Sequence, residues 1–119
     1  MNPLETYRQN AITTQAPAQV VVLLYEGAVR FLKQAQQAMQ RHDHAQKAYF
    51  IGRAQDVVFE LNASLNMDVG KDISNNLRSL YTFIWTHLNE VCTRNNTELL
   101  DKIIYILEDM AGAWKKITV

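Results

Sequence analysis

Pro17-Ala18-Gln19-Val20-Val21-Val22-Leu23-Leu24-Tyr25-Glu26-Gly27-Ala28-Val29-Arg30-Phe31-Leu32-Lys33-Gln34-Ala35-Gln36-Gln37-Ala38-Met39 is the stretch that decides the fold. Pro17 disfavours helical geometry at Ala16 and suits the opening of a helix, where its missing N–H costs nothing. From there Val21, Leu24, Ala28, Phe31, Leu32, Ala35 and Met39 recur at spacings of three and four, which puts them on one helical face. This helix is expected to end near Arg41 or His42. Asp43 can cap a second helix whose stripe is Tyr49 or Phe50, Ala54, Val57 or Val58, Leu61 and Leu65. The connection is so short that the two helices must be antiparallel neighbours.

Working outward, Asn66 to Asp72 contains Gly70 and two aspartates and reads as a loop, with Asp72 or Ser74 able to cap a third helix. Its stripe is Ile73, Leu77, Leu80, Ile84, Leu88 and Val91. Asn95 with Glu98 three residues later resembles a capping box that opens a fourth helix bearing Leu100, Ile103, Leu107, Met110 and Trp114. In the other direction, Asn2-Pro3-Leu4-Glu5 resembles the start of a short N-terminal helix running to about Asn10, and residues 11–16 form a linker. The expected fold is all-α: an antiparallel up-down four-helix bundle with a short extra N-terminal helix. Residues 1–119 make one domain, with 1–16 as cap segment and linker and 17–117 as the bundle.

Composition agrees. Four Gly and two Pro in 119 residues are too few for a fold of many short strands, and 48% apolar residues can build a core. Twelve Lys plus Arg balance twelve Asp plus Glu, so the basic excess that a general nucleic-acid binder needs is absent. The lone Cys92 cannot form an internal disulfide. The longest apolar run, Val20 to Tyr25, is far short of a membrane span, and the start of the chain lacks the regions of a signal peptide. These features point to a cytoplasmic protein with no membrane insertion.

Catalytic chemistry has few residues to draw on. None of His42, His44 and His87 has Glu three residues before it, as a di-metal bundle would require, and His42-Asp43-His44 reads as a polar turn with an N-cap. No Gly-rich phosphate loop, Gly-x-Ser-x-Gly elbow or His-Glu-x-x-His occurs. The chain is therefore expected not to be an enzyme and to need no metal or other cofactor. Histidine phosphotransfer domains are bundles of similar size, and His87 is the only residue that could serve in one. Glu90, one turn on, would repel a phosphoryl group or pair with the imidazole. A generic helical scaffold is the other alternative.

More informative is apolar surface beyond one stripe per helix: Val20, Val22, Leu23, Tyr25 and Val29 in the first helix, and Leu99, Ile104, Tyr105, Ile106 and Ala113 in the last. Either the core is thick or a groove receives a partner, and Tyr7, Tyr25, Tyr81, Tyr105, Trp85 and Trp114 suit surfaces that alternate between wet and covered. Such a groove usually takes an amphipathic helix. Gly27-Ala28 offers a place of close helix approach at a helix-propensity cost of about 1 kcal/mol for the glycine.

Tyr7-Arg8-Gln9-Asn10, Ala16-Pro17, Leu24-Tyr25-Glu26-Gly27-Ala28, Ala54-Gln55-Asp56-Val57-Val58-Phe59-Glu60-Leu61, Leu77-Arg78-Ser79-Leu80-Tyr81 and Ala113-Trp114-Lys115 follow one another in this order. Together they resemble the flagellar secretion chaperones that hold flagellin before export. The resemblance implies a non-enzymatic bundle that binds the amphipathic C-terminal segment of flagellin, prevents premature polymerisation and deals with the flagellar export apparatus. It also implies that Tyr7 and Asn10 belong to an N-terminal cap that competes with the client. Leu24, Tyr25, Ala28, Ala54, Val58, Leu61, Leu77, Tyr81 and Leu88 would form the client groove and its supporting layer. The chain departs from the family in having Ala16 where many members have Ser, a single Gly70 before the third helix, and Cys92 at an often polar position.

Overall fold

A computed structural model describes residues 14–68 and 71–116. Over these, the chain forms α1 (Ala18–Gln40), α2 (His44–Ala63), α3 (Lys71–Arg94) and α4 (Thr97–Lys115). The expected helix before Asn10, together with Tyr7, Asn10 and Gly70, lies outside the described residues.

Two of the connections use the same device. His42 and Asn95 take positive φ values of 55° and 51°, in the left-handed region that ends a helix, and each is followed by a capping side chain. Asp43 accepts the Gln46 backbone N–H at 3.1 Å, as the sequence suggests. At the start of α4 the cap is Asn96, accepting from Leu99 N at 3.1 Å, not Asn95. The left-handed turn occupies Asn95 and shifts the capping position by one residue. Pro17 stands at the N-cap of α1 without a side-chain cap, and its carbonyl accepts from Val20 N and Val21 N at 2.9 and 3.1 Å. Ser74 is not a cap either: it is buried inside α3 and donates to the Asn66 carbonyl at 2.9 Å, holding the longer α2–α3 connection against the bundle.

Successive helices run antiparallel, and α4 closes the ring against α1. Packing is densest between α1 and α2, less dense in the α1–α4 and α2–α3 pairs, and sparsest between α3 and α4. The shared core takes Val21, Tyr25, Ala28, Leu32 and Ala35 from α1, Ile51, Ala54, Val58 and Leu61 from α2, Leu77, Tyr81, Ile84, Leu88 and Val91 from α3, and Leu100, Ile103, Leu107 and Trp114 from α4. Much of the apolar surplus is thick core: Val22, Val29 and Ile104 are buried too. Leu24, Phe31, Leu80 and Met110 lie at its margin, half-buried against it.

Across the α1–α4 pair the outer seam is polar. Glu26 meets Lys115 at 2.8 Å, Lys33 meets Glu108 at 3.4 Å, and Gln36 donates to Asp101. Lys47 is a buried cation near the start of α2, donating to the Cys92 carbonyl at 2.8 Å and to Asn95 Oδ1 at 2.7 Å. It thus satisfies a carbonyl at the C-terminal end of α3, where helix carbonyls lack intrahelical partners and the dipole favours positive charge.

Candidate functional site

An open depression of about 140 Å³ lies between α2 and α3. Antiparallel packing brings Val58, Phe59 and Asn62 from α2 opposite Tyr81, Thr82 and Trp85 from α3. Val58 and Tyr81 are buried and form its floor. Phe59 and Trp85 remain 66% and 41% exposed at its sides. Each follows a buried residue closely in its helix, so the twist that sends Val58 and Tyr81 inward turns them toward the rim. Cross-helix hydrogen bonds bound the two ends: Gln55 donates to the Trp85 carbonyl and to Asn89 Oδ1 at 3.0 and 2.9 Å, and Arg78 donates to Asn62 Oδ1 at 3.4 Å. Those ties hold the helices in register on either side of the depression.

Beneath it is a polar node inside the apolar core. The Tyr25 and Tyr81 hydroxyls hydrogen-bond one another across the bundle from α1 to α3, with ring centroids 6.4 Å apart. Burial raises the ionisation of Tyr25 well above the ordinary phenol value; the proximity of Tyr81 and the hydrogen bond with it add to the rise, while a hydrogen bond with Trp114 opposes it. Burial likewise pushes Tyr81 up to about 12, against an opposing hydrogen bond from Tyr25. Both stay neutral at physiological pH and act as a hydrogen-bonded pair.

Of the nine residues that the family resemblance points to, Tyr25, Ala28, Ala54, Val58, Leu61, Leu77, Tyr81 and Leu88 are buried, and Leu24 is half-buried against the core. In this conformation they belong to the core and its margin, and of the nine only Val58 and Tyr81 line the depression. Phe59, Asn62, Thr82 and Gln55 were not singled out by sequence reasoning, although Phe59 and Gln55 stand inside the stretch Ala54 to Leu61 that carries the resemblance. Exposed Phe59 breaks the helical stripe, and an off-stripe aromatic is the signal that could have found it. A second aromatic run lies at the α1–α2 seam, where Phe31 stacks near Phe50 at 6.5 Å and Phe50 meets Tyr49 at 5.2 Å.

His87 stacks on Phe83 with ring centroids 3.9 Å apart, and its Nδ1 hydrogen-bonds the Phe83 carbonyl at 2.8 Å. Glu90 is engaged by Arg94 at 4.0 Å, so the expected pairing with His87 is replaced by an i, i+4 ion pair. Among the described residues no group of three or more His, Cys, Asp or Glu side chains could hold a metal ion, and no helix is long and apolar enough to cross a membrane.

The model of the family described as Flagellar protein FliS matches residues 1–119. The chain belongs to that family. It is 30% identical to flagellar secretion chaperone FliSB of Pseudomonas aeruginosa, over 99% of this chain and 97% of that protein. Against flagellar secretion chaperone FliS of Vibrio cholerae it is 30% identical, over 96% and 87%, and against that of Bacillus subtilis 29%, over 97% and 85%. A solved flagellar chaperone from bacteria shares the fold with a TM-score of 0.79 at 20% identity, covering 96% of this chain and 93% of its own. The FliS family is one of chaperones, which are not an enzyme class, and the phosphotransfer reading of His87 finds no support in it.

Proposed function

We propose that this chain is a cytoplasmic export chaperone that receives the amphipathic C-terminal segment of flagellin on its α2–α3 face and keeps it from polymerising before export. The observation that carries the proposal is the open apolar depression with Phe59 and Trp85 exposed at its sides, on a chain of the FliS family. Clustered exposed aromatics are unfavourable in a free protein unless something covers them. Covering a Phe or Trp side chain fully is worth roughly 1.5–3 kcal/mol, enough for two such anchors to dominate the grip on a helix. A client that is disordered alone loses conformational entropy on docking, so apolar anchors seated in a preformed depression are the efficient means of capture.

Residues 17–117 act as the binding bundle and residues 1–16 as cap and linker, with Tyr7 and Asn10 in the cap. A cap that occupies the client's site reduces apparent affinity by the fraction of time it is seated. Handing the client to the export apparatus completes the cycle.

Calorimetry with a peptide spanning a flagellin C-terminal segment tests the function. Binding at or below tens of micromolar, with the negative heat-capacity change of apolar burial, is expected. No heat and no complex at that concentration would refute it.

A further inference from the structure

The outward side of α1 carries apolar residues that belong neither to the core nor to the α2–α3 depression. Val20 and Leu23 are 42% and 63% exposed. Further along the same face, a depression of about 280 Å³ is lined by Gly27, Arg30, Phe31, Lys33 and Gln34. Gly27, Arg30, Phe31 and Gln34 stand at i, i+3, i+4 and i+7, the four-residue hole that a helix offers to a side chain of a second helix. Leu23 has the form of the knob that such a hole takes, yet it lies about 11 Å away along its own helix and cannot fill it.

Knob and hole on one helix become partners when two copies meet antiparallel. Leu23 and the middle of the hole lie about equally far from Gly27 on either side, so a twofold axis at Gly27 seats each Leu23 in the other copy's hole. Gly27 brings no side chain to the axis, where the two helices come nearest, and a Cβ there would meet nothing closer than Arg30 Nη2 at 3.8 Å. The charges fit the same symmetry. Arg30 is exposed, makes no salt bridge among the described residues, and lays its guanidinium back toward the level of Gly27. Glu26 adjoins Gly27 and stays 34% exposed beside Lys115. The twofold brings Glu26 of one copy to the level of the other copy's Arg30 guanidinium on the same side of the helix pair, so carboxylates and cations alternate around the axis.

We infer that the outer face of α1 is a self-association surface, pairing two copies of this chain antiparallel about Gly27. One helix pair covers less than the ~1,200–2,000 Å² of a stable complex, so the dimer is a weak one, with a dissociation constant on the order of 100 µM. In the ring of helices α1 lies diagonally across from α3, and its outer face points away from the α2–α3 depression. Pairing therefore leaves that depression open on both copies.

Sedimentation equilibrium of the full chain, from about 10 µM to about 1 mM, tests the pairing. A monomer–dimer equilibrium is expected for the unaltered chain. Leu23→Glu and Arg30→Glu, both at exposed positions, should weaken it about tenfold or more, Arg30→Lys should stay within about threefold, and Phe59→Ser on the opposite side should leave it unchanged. The place of the axis is read separately in a Cys92→Ser background with copper phenanthroline as oxidant. Gly27→Cys should link two copies through one disulfide, because a residue on the axis faces itself, whereas Gln37→Cys, about 30 Å from its counterpart, should not. A chain that stays monomeric at about 1 mM overturns the inference. So does a dimer that Leu23→Glu leaves intact, or one that Gln37→Cys links in preference to Gly27→Cys.

Discussion

At the scale of single residues, the Tyr25–Tyr81 pair shows how a core can be polar without being reactive. Unfolded tyrosines ionise near 10, whereas Tyr81 holds its proton to about 12 and Tyr25 is raised well above the ordinary value. Between those limits the unfolded chain has lost protons that the native chain keeps, so stability is fully present below about pH 10 and falls as pH rises through the window. Urea unfolding should therefore give a constant free energy from pH 7 to 9 and a steep loss above 10. Tyr81→Phe should cost about 1–2 kcal/mol at neutral pH, because it deprives the Tyr25 hydroxyl of a partner, and should flatten the alkaline loss. An unchanged alkaline slope in that variant would contradict the assignment.

Among the elements, the α2–α3–α4 corner depends on Lys47. The Cys92 carbonyl and Asn95 Oδ1 both receive hydrogen bonds from its buried ammonium. Lys47→Met keeps most of the volume and removes the donor, so it should destabilise the protein by about 1–3 kcal/mol and speed amide exchange at the α3–α4 turn. Replacing Lys33, whose pairing with Glu108 is half-exposed on both sides, should cost less than about 1 kcal/mol by the same denaturation measurement. The contrast explains what could be read beforehand. Stripes such as Leu77, Ile84, Leu88 and Val91 are legible because burial of one helical face imposes the spacing. Lys47 is not, since a lysine among Gln46 and Ala48 looks like a solvated face until a neighbouring helix end arrives above it. Asn95 and Asn96 are both good capping residues, and only the left-handed turn chooses between them.

For the molecule as a whole, the seams differ in character: α1–α4 is laced by charged and polar pairs, while α2–α3 leaves an apolar gap between two polar ties. The apolar surplus read from the sequence divides: Val22, Val29 and Ile104 went inward, Val20, Leu23 and Tyr105 stayed exposed, and Phe59, which was not part of it, is exposed as well. Likewise the resemblance led to the supporting layer, whose residues are constrained by packing, and passed over most of the exposed side chains resting on it. A grip made by apolar contact predicts a client affinity that changes less than about threefold between low and physiological salt, as surface charges contribute little to it. The most direct measurement is client affinity, by calorimetry, for the unaltered chain against Phe59→Ser and Trp85→Ser. Phe59→Ser should stay within about 0.5 kcal/mol of the parent and Trp85→Ser, whose side chain is more than half covered, should lose about 1–2 kcal/mol yet remain folded, while affinity falls tenfold or more in both. Folded variants that bind the flagellin peptide as tightly as the parent would contradict the α2–α3 face as the client site.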